Sequence, residues 1–323
     1  MKCSIVIRAY NEAHHLGRLL EGVASQTWRD VELILVDSGS TDATVEIAGS
    51  HGARVLHIRP EEFTFGGSLN LGMQAASSEF VVIASAHVYP VYPDWIECLL
   101  HPFEDERVAL VYGKQRGAEG SRFSERQIFH QWYPDADVRP QSSPFCNNAN
   151  AAIRRSLWER HPYDETLTGL EDVAWAKWAQ SQGGEVVYSS HAEIVHVHEE
   201  NPLGVYDRYR REAMAFKRIF PESHFSAYDC LRLAMINIWH DYAQAAREWV
   251  LLRNLASILW FRGAQFWGTY QGYRRSSEVT RELRQRFYYP RGTDMQASRR
   301  RNVHPIRYNE AAAQQPPKDQ GPK

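Results

Sequence analysis

The chain has 323 residues, which is enough for one large domain with appendages. Its 43% hydrophobic and 24% charged residues are typical of an ordinary soluble globular protein. The most apolar late segment, residues 249–275, is interrupted by Arg253 and Arg262. This excludes a helix with the about 18 uncharged residues that spanning a membrane requires.

The charge is distributed unevenly behind a net value of −2. Residues 1–200 contain 16 Lys and Arg against 28 Asp and Glu, whereas residues 201–323 contain 21 against 11. Such a basic C-terminal third suggests an anionic partner, either nucleic acid or a phospholipid surface. The cysteines are scattered, and the N-terminus passes directly into a strand without a signal-peptide pattern, which together favour a cytoplasmic protein.

Residues 1–113 alternate between strand and helix patterns. Continuous apolar runs predict strands at CSIVIRA, VELILVD, ARVLHI, EFVVIAS and RVALVYGK. Helical spacing between them predicts a helix with Asn11 as its N-cap, a second at TDATVEIAGSHG and a third at SLNLGMQAASS. Apolar strands separated by such helices indicate an α/β fold with a mostly parallel sheet covered on both faces.

The rest of the chain becomes increasingly helical. TGLEDVAWAKWAQSQGG predicts a helix with a capping box between Thr168 and Glu171, and EVVYSSHAEIVHVHEE predicts a strand. Long helices follow from Pro202 to about Phe287, and Pro221 is expected to interrupt them. We therefore predict an α/β domain at 1–200, a helical extension at 201–290, and a disordered tail at 291–323.

Two polar loops follow the first two strands, at the edge where an open parallel sheet binds ligands. The ring of Tyr10 can pack against a base, and the carboxylates of Glu12, Asp37 and Asp42 can accept hydrogen bonds from a base or a ribose. Helix capping explains either loop alone, but the two together favour a nucleotide. The chain has no G-x-G-x-x-G or P-loop motif, which argues against a dinucleotide site.

The segment SIVIRAYNEAHHLGRLLEGVASQTWRDVELILVDSGSTDAT resembles the opening of the family 2 nucleotide-sugar glycosyltransferases. The resemblance continues through GGSLNLGMQAASSEFVVIASAHVYPVYPDWIECLL, NNANAAIRRSLWER and LEDVAWAKW, and is strongest with rhamnosyltransferase-like members of cell-surface polysaccharide pathways. It implies a GT-A fold and an inverting transfer from a nucleotide-diphospho-sugar. It also implies that Ala9, Tyr10, Glu12 and Asp37 contact the nucleoside.

GLEDVAWAKW contains the candidate general base. The family places this base at the second acid of an ED pair, which is Asp172 here. A position in the first helical turn would favour the ionised carboxylate, although an acid at a helix N-terminus is also a common structural feature. The resemblance places the acceptor near Asn147 and Asn148, and Glu171 and Trp175 of this segment complete the predicted acceptor side.

The fourth strand ends in Ser85, Ala86 and His87, where family members have a D-x-D motif that binds a divalent cation. His87 can replace the last aspartate as a ligand, and His196 and His198 lie two apart, so a strand directs both to one face. Imidazole ligands favour Mn²⁺ over Mg²⁺. Direct stabilisation of the diphosphate by cationic groups, with Ser85 nearby, and an inactive site are the alternatives.

The segment FTFGGSLN places two glycines before a helix. Open amides there and the side chain of Asn70 could approach a phosphate, and a simple turn is an equal explanation.

The C-terminal helices combine aromatic and basic residues. These are Trp239, Trp249, Trp260, Phe261, Phe266, Trp267, Tyr270 and Tyr273 with Arg247, Arg253, Arg262, Arg274 and Arg275. The pattern predicts contact with a membrane surface, or burial of the aromatics inside the protein or at a subunit interface of an oligomer. Nucleic acid is disfavoured because no nucleic-acid module is recognisable.

These patterns predict an inverting glycosyltransferase that uses a saccharide or a lipid-linked saccharide as acceptor, with Asp172 as base. The competing hypothesis is a non-catalytic nucleotide-sugar-binding protein that assembles or regulates a polysaccharide complex. The missing D-x-D motif favours the second, and the ED pair favours the first.

Overall fold

The computed structural model describes residues 2–198, 200–274 and 303–308. Within these residues, eight strands form one sheet in the order β3-β2-β1-β4-β7-β6-β8-β5. The strands are β1 (Cys3–Ala9), β2 (Val31–Asp37), β3 (Arg54–His57), β4 (Phe80–Ser85), β5 (Val88–Pro90), β6 (Val108–Gly117), β7 (Asn150–Arg154) and β8 (Glu185–His196). The helices are α1 (Ala13–Ala24), α2 (Thr44–Ser50), α3 (Phe65–Ala75), α4 (Trp95–Leu100), α5 (Phe123–Trp132), α6 (Arg155–Arg160), α7 (Glu171–Ser181), α8 (Pro202–Ile219), α9 (Ala227–Arg247) and α10 (Leu251–Arg274).

The first four strands pair in parallel, as their apolar runs predict. β1 lies between β2 and β4, with Ile5 opposite Leu33 on one side and Val82 on the other. Successive side chains of a strand point to opposite faces, so Ile5 packs in the core beneath α1 and α4, and Val6 packs beneath α3. Because both faces are covered by helices, the strands are apolar throughout.

The second half of the sheet is mixed. Strand β7 pairs antiparallel with β4 and β6, whereas β8 pairs in parallel with β6. Of the seven strand pairings in the described residues, four are parallel. β7 was not predicted as a strand, because its sequence NAAIR has little β-branched character and becomes a strand only by pairing between two others.

The C-terminal helices pack against the α/β part of the chain. Phe261 of α10 is buried with Ile128 of α5 and Val205 of α8. α10 approaches α8 closely at Gly268, which has no side chain. A Cβ at this position would clash with the carbonyl oxygen of Tyr206. The break between α9 and α10 was not predicted, and it lies at Trp249, whose φ of 61° ends α9. The proposed division at residue 200 stays a prediction.

Two predicted helix caps are wrong. Asn11 adopts a left-handed φ of 55°, and its Oδ1 accepts the amide of Thr41 at 2.8 Å, so α1 begins one residue later without it. The capping box at Thr168 is replaced by a start at Glu171, after Leu170 with a φ of 56°. In both places, contacts with a distant segment override the local capping preference.

Residues 303–308 pack against β5, so the predicted disorder of the tail is wrong for this segment. The amide of Ile306 donates to the carbonyl of Val91 at 2.9 Å, and the hydroxyl of Tyr308 donates to the carbonyl of Pro90. The rest of the predicted tail, and the predicted helix beyond Arg274, lie outside the described residues.

No helix in the described part of the chain combines the length and the hydropathy needed to cross a membrane.

Candidate functional site

A cavity of about 670 Å³ opens where β1 and β4 end. Parallel neighbouring strands end at the same edge of a sheet, and this brings the two predicted loops together. The predicted site residues that line the cavity are Ala9, Tyr10, Glu12, Ser85, His87, Asn147, Asn148, Glu171, Asp172 and His198. The structure therefore gathers segments that are up to 189 residues apart in the chain (198 minus 9) around one space.

Asp172 lies in the cavity wall and is only 7% exposed. Its Oδ2 accepts the amide of Asn148 at 2.9 Å, and its Oδ1 accepts the amide of Val173 at 2.8 Å. Burial, reinforced by the neighbouring carboxylate of Glu171, raises the pKa of Asp172 to about 7. A carboxylate with this pKa can accept a proton near neutral pH.

Glu171 forms an ion pair with Arg8, a cavity residue that lies inside the apolar run of β1 and has no motif of its own. The Nη1 of Arg8 lies 3.3 Å from Oε1 of Glu171, and both side chains are largely buried. The guanidiniums of Arg8 and Arg211 lie 5.3 and 4.8 Å from the ring centroid of Phe65. Arg8 and Arg211 therefore both line the cavity on the Phe65 side, and the carboxylate of Glu171 is paired with Arg8.

His87, His196 and His198 form a histidine cluster in the cavity. One ring nitrogen of each lies within 4.8 Å of the others, and the rings of His196 and His198 are 4.0 Å apart. His196 is the last residue of β8 and His198 follows it by two residues, and both rings enter the cluster.

Each histidine of the cluster has an oxygen acceptor at Nδ1. The Nδ1 atoms of His87, His196 and His198 lie 2.8 Å from Glu12 Oε1, 2.8 Å from Gln115 Oε1 and 2.7 Å from Glu125 Oε1, respectively. An amide oxygen and an ionised carboxylate accept, which assigns the proton of His87 and His196 to Nδ1 and leaves the lone pair on Nε2. The Nδ1 of His198 also lies 3.5 Å from Nη1 of Arg208, which is a donor.

The Nε2 of His196 is buried and has no hydrogen-bond partner in the described part of the chain. Burial lowers the pKa of both His196 and His198 well below the usual value, which keeps the rings neutral. Neutral imidazoles with Nδ1 held by an oxygen and Nε2 free are the arrangement that metal-binding histidines adopt. The donor set fits a divalent transition metal.

Arg208 also places a guanidinium in the cavity lining, and no sequence motif indicated this role. Its Nη2 lies 3.1 Å from Oε1 of Glu125 and 2.8 Å from Oε2 of Glu200. Arg208, Arg211 and Glu212 all line the cavity from α8. Their i, i+3, i+4 spacing marks one helix face, but this signal is the same for a solvated surface face.

Asn70 and Trp175 were predicted to contact ligands, and the structure places both in the core, away from the cavity lining. The amide of Asn70 donates to the carbonyl of Tyr163 at 3.0 Å and accepts from the indole of Trp158 at 2.9 Å. Trp175 is 1% exposed and donates to the carbonyl of His161 at 2.8 Å. Since their polar groups are already bonded inside the protein, we withdraw these two assignments.

The glycines before α3 also serve packing rather than a phosphate. The side chain of Thr64 accepts the amide of Gly67 at 2.9 Å, and a Cβ at Gly66 would clash with the backbone of Asp164.

Asp42 and Asp37 support the loops of the cavity from outside its lining. Asp42 accepts hydrogen bonds from the amides of Ala13 and Thr44, both at 3.0 Å, and so holds the starts of α1 and α2 together. We therefore withdraw its assignment as a contact of the nucleotide sugar. Asp37 is buried and accepts the amides of Gly39 and Ser40 at 3.1 and 3.2 Å. Its predicted contact with the nucleoside stays a prediction.

Comparisons with known proteins agree with this architecture. The model of the protein family described as "Glycosyl transferase family 2" matches residues 4–161. The O-antigen chain rhamnosyltransferase RfbN of Salmonella typhimurium is 26% identical over 222 residues, which are 65% of this chain and 70% of that protein. The O-antigen chain rhamnosyltransferase WbaN of Salmonella anatum is 28% identical over 197 residues, which are 57% and 62% of the two chains.

Solved structures share the fold at low sequence identity. The mannosyltransferase PcManGT from Pyrobaculum calidifontis, in complex with GDP-Man and Mn²⁺, has a TM-score of 0.56 at 19% identity and 84% coverage of both chains. TarS 1–349 from S. aureus, in complex with UDP-GlcNAc, has a TM-score of 0.53 at 15% identity and covers 85% of this chain and 92% of its own. The predicted GT-A fold is confirmed, and residues 4–161, just under half of the chain, belong to glycosyltransferase family 2.

Proposed function

We propose that this glycosyltransferase moves a sugar, with inversion, from a nucleoside-diphosphate sugar to a hydroxyl of a saccharide or lipid-linked saccharide. The observation that carries this proposal is the buried carboxylate of Asp172 in a cavity beyond the parallel strands. RfbN and WbaN are O-antigen chain rhamnosyltransferases, which supports a role in polysaccharide synthesis and a deoxyhexose as the first sugar to test.

Asp172 acts as the general base. Its carboxylate takes the proton of the acceptor hydroxyl while that oxygen bonds to the anomeric carbon of the donor sugar. The bond from this carbon to the diphosphate oxygen breaks on the opposite face, and the nucleoside diphosphate departs. The two backbone amides on Asp172 aim the carboxylate, and Asn147 and Asn148 lie beside it to receive acceptor hydroxyls.

The donor occupies the side of the cavity formed by the first loop and the end of β4. Tyr10 is 57% exposed at the rim, where its ring can stack on a base. Ala9 lies behind it, Ser85 faces the diphosphate, and Asp37 supports the ribose side. Glu12 joins this region to the histidine cluster, because it lines the cavity and accepts from His87.

His87, His196 and His198 would hold a divalent cation, whose charge stabilises the departing diphosphate when it is bound. An all-imidazole ligand set favours Mn²⁺ over Mg²⁺, and PcManGT binds Mn²⁺ with its nucleotide sugar. Arg208 and Arg211 add positive charge to the cavity lining, and they are the groups that would act in a metal-independent reaction.

Nucleotide release from candidate donors, with and without acceptor, tests the reaction. A thermal-shift screen of nucleoside diphosphates and their sugars selects the donor first. Asp172→Asn is expected to lower turnover by about 10²–10⁴ while donor binding persists. Asp30→Asn, an exposed acid outside the cavity, is the matched control.

Equal turnover by wild type and Asp172→Asn would remove the base assignment. Binding of a nucleotide sugar without turnover, for every acceptor offered, would favour the non-catalytic binding protein, for which the comparisons give no support. The expected cytoplasmic location, and an oligomeric form, stay predictions. Contact of the C-terminal helices with a membrane surface also stays a prediction at this point.

A further inference from the structure

The hairpin of α9 and α10 has an outer surface rich in large apolar side chains. The α9–α10 face consists of Tyr228, Leu231, Met235, Ile236, Trp239, Trp249, Leu252, Leu255, Leu259 and Trp267. Trp239 is 76% exposed and Trp249 is 95% exposed. Scattered apolar residues are normal on a protein surface, but ten exposed large apolar side chains on one helical hairpin indicate a binding surface.

The two helices form an antiparallel pair with a common inner side. The hydroxyl of Tyr242 donates to the carbonyl of Leu255 at 3.0 Å, and the thiol of Cys230 donates to the carbonyl of Phe266 at 3.4 Å. The inner side chains of both helices enter shared buried clusters with α5 and α7. Their exposed sides therefore belong to one outer surface.

The apolar residues of α9 recur at helical spacing. Tyr228, Leu231, Met235 and Trp239 are three or four residues apart, which places them on one stripe along the helix. Their burial is not needed to hold α9 in place, because Leu233 and Ala245 anchor its inner side.

The charge around this stripe is positive. Arg232, Arg247, Arg253 and Arg274 are exposed, and Glu248 is the one exposed acid between residues 227 and 274, all of which the structure describes. The other two acids of this region, Asp229 and Asp241, are buried: Asp229 bonds Ser226, and Asp241 pairs with Arg262. The α9–α10 region therefore exposes four arginines against one carboxylate.

We propose that the α9–α10 face docks on an anionic phospholipid bilayer. The tryptophans and leucines enter the boundary between head groups and acyl chains, and the arginines contact lipid phosphates. Charge favours this partner over a second copy of the chain, because a symmetric dimer through this face would bring the same arginines together. The proposal needs neither the donor nor Asp172, so it can fail or hold independently of the sugar transfer.

Docking through this face would also set the position of the cavity relative to the bilayer. α10 packs closely on α8, and α8 carries Arg208 and Arg211 into the cavity lining. The cavity and the outer surface are thus connected through the packed helices α8 and α10.

Co-sedimentation of the full chain with lipid vesicles tests the proposal. Vesicles of phosphatidylcholine mixed with phosphatidylglycerol are expected to bind the protein, and pure phosphatidylcholine vesicles to bind it much less, with binding to the former weakened by salt. Changing Arg232, Arg247 and Arg253 together to Gln is expected to weaken binding by about 100-fold, from the contribution of each cation near an anionic leaflet. Arg160→Gln, on α6, is the charge control.

The apolar part of the face is tested separately. The combined variant Leu231→Ser, Met235→Ser and Trp239→Ser is expected to abolish binding while its thermal unfolding stays like that of wild type, since these side chains are exposed. Leu203→Ser, an exposed leucine at the start of α8, is the control. Quenching of tryptophan fluorescence by brominated lipid reports insertion directly.

Vesicle binding that is equal in the Ser variant and in wild type would overturn the proposal. So would a concentration-dependent dimer in sedimentation velocity that the Ser variant loses, because the face would then be a subunit interface. Loss of binding in both triple variants, with the controls unchanged and the protein folded, would support it.

Discussion

The pKa of the Asp172 carboxyl is set mainly by the residues around it in the folded structure. Burial and Glu171 raise its pKa, whereas the amides of Asn148 and Val173 and the charge of Arg8 lower it, and burial dominates. Cys146, Tyr133 and Tyr163 also face this region, and burial raises the pKa of each well above its usual value, so they stay neutral.

A base with a pKa of about 7 makes activity depend on pH in a defined direction. The free carboxyl ionises as the pH rises, so kcat/KM is expected to increase from pH 5 to pH 8 with an inflection near 7. The measurement is the pH profile of nucleotide release by wild type and by Asp172→Asn. A flat wild-type profile over this range would contradict the assignment.

The same pKa affects stability with the opposite sign. Since the folded carboxyl has a raised pKa, the folded state binds more protons than the unfolded state between pH 3.8 and about 7. As the pH rises through this range, the free energy of unfolding of the wild type should therefore decrease relative to that of Asp172→Asn, whose side chain cannot titrate. Melting temperatures of both proteins across the range measure the difference, and parallel curves would argue against a raised pKa.

Metal binding depends on single atoms of the histidine cluster. His196→Ala removes the buried Nε2 that has no partner among the described residues, and it is expected to lower the affinity for Mn²⁺ at least tenfold. Calorimetric titration with Mn²⁺ and metal analysis measure the change without an activity assay. His101→Ala, an exposed histidine paired with Glu104, is the control.

Metal removal gives the corresponding result for activity. Treatment with EDTA is expected to reduce turnover, and Mn²⁺ to restore it better than Mg²⁺. If neither EDTA nor added metal changed turnover, the metal proposal would be wrong, and Arg208 and Arg211 would be the groups that stabilise the departing diphosphate.

At the scale of elements, α10 depends on close backbone contact with α8. Gly268→Ala forces a Cβ against the carbonyl of Tyr206, and we expect a destabilisation of about 1–3 kcal/mol, because backbone cannot move aside cheaply. Gly263→Ala has open space around its Cβ on the same helix and should instead stabilise by about 0.5–1 kcal/mol.

Chemical denaturation of the two glycine variants separates the effect of the contact from helix propensity. Equal shifts for both would mean that the contact between α8 and α10 has no special role. This contact could not be predicted, because both glycines occur in similar sequence, FRGAQ and FWGTY, and only the packing distinguishes them.

At the scale of the whole molecule, residues 303–308 join the end of the described chain to its first half. Tyr308 donates to Pro90, 218 residues away, and its ring contacts that of Tyr89 at 5.2 Å. Tyr308→Phe should cost about 1 kcal/mol, since it removes one hydrogen bond and keeps the ring contact. Arg307→Ala, at an exposed neighbour, should leave thermal unfolding unchanged, and equal losses in both variants would contradict the role of this bond.

By itself, the sequence determined the parallel core and the position of the site. Buried parallel strands must be apolar throughout, and their polar ends must meet at one edge, so CSIVIRA and EFVVIAS predict both the sheet and the neighbourhood of Tyr10 and His87. The spacing of His196 and His198 likewise predicts one side of a strand, because the side-chain period of a strand is two.

Only the tertiary structure decided which partner each polar group takes. Glu12 with His87, Gln115 with His196, and Glu125 with His198 are pairs separated by 75, 81 and 73 residues, and no local pattern relates them. Asn70 and Trp175 were assigned to ligands for the same reason, since a side chain that bonds inside the core has the same local sequence as one that faces a cavity. Local periodicity gives the direction of a side chain from its own strand or helix, whereas its partner depends on how separate elements pack.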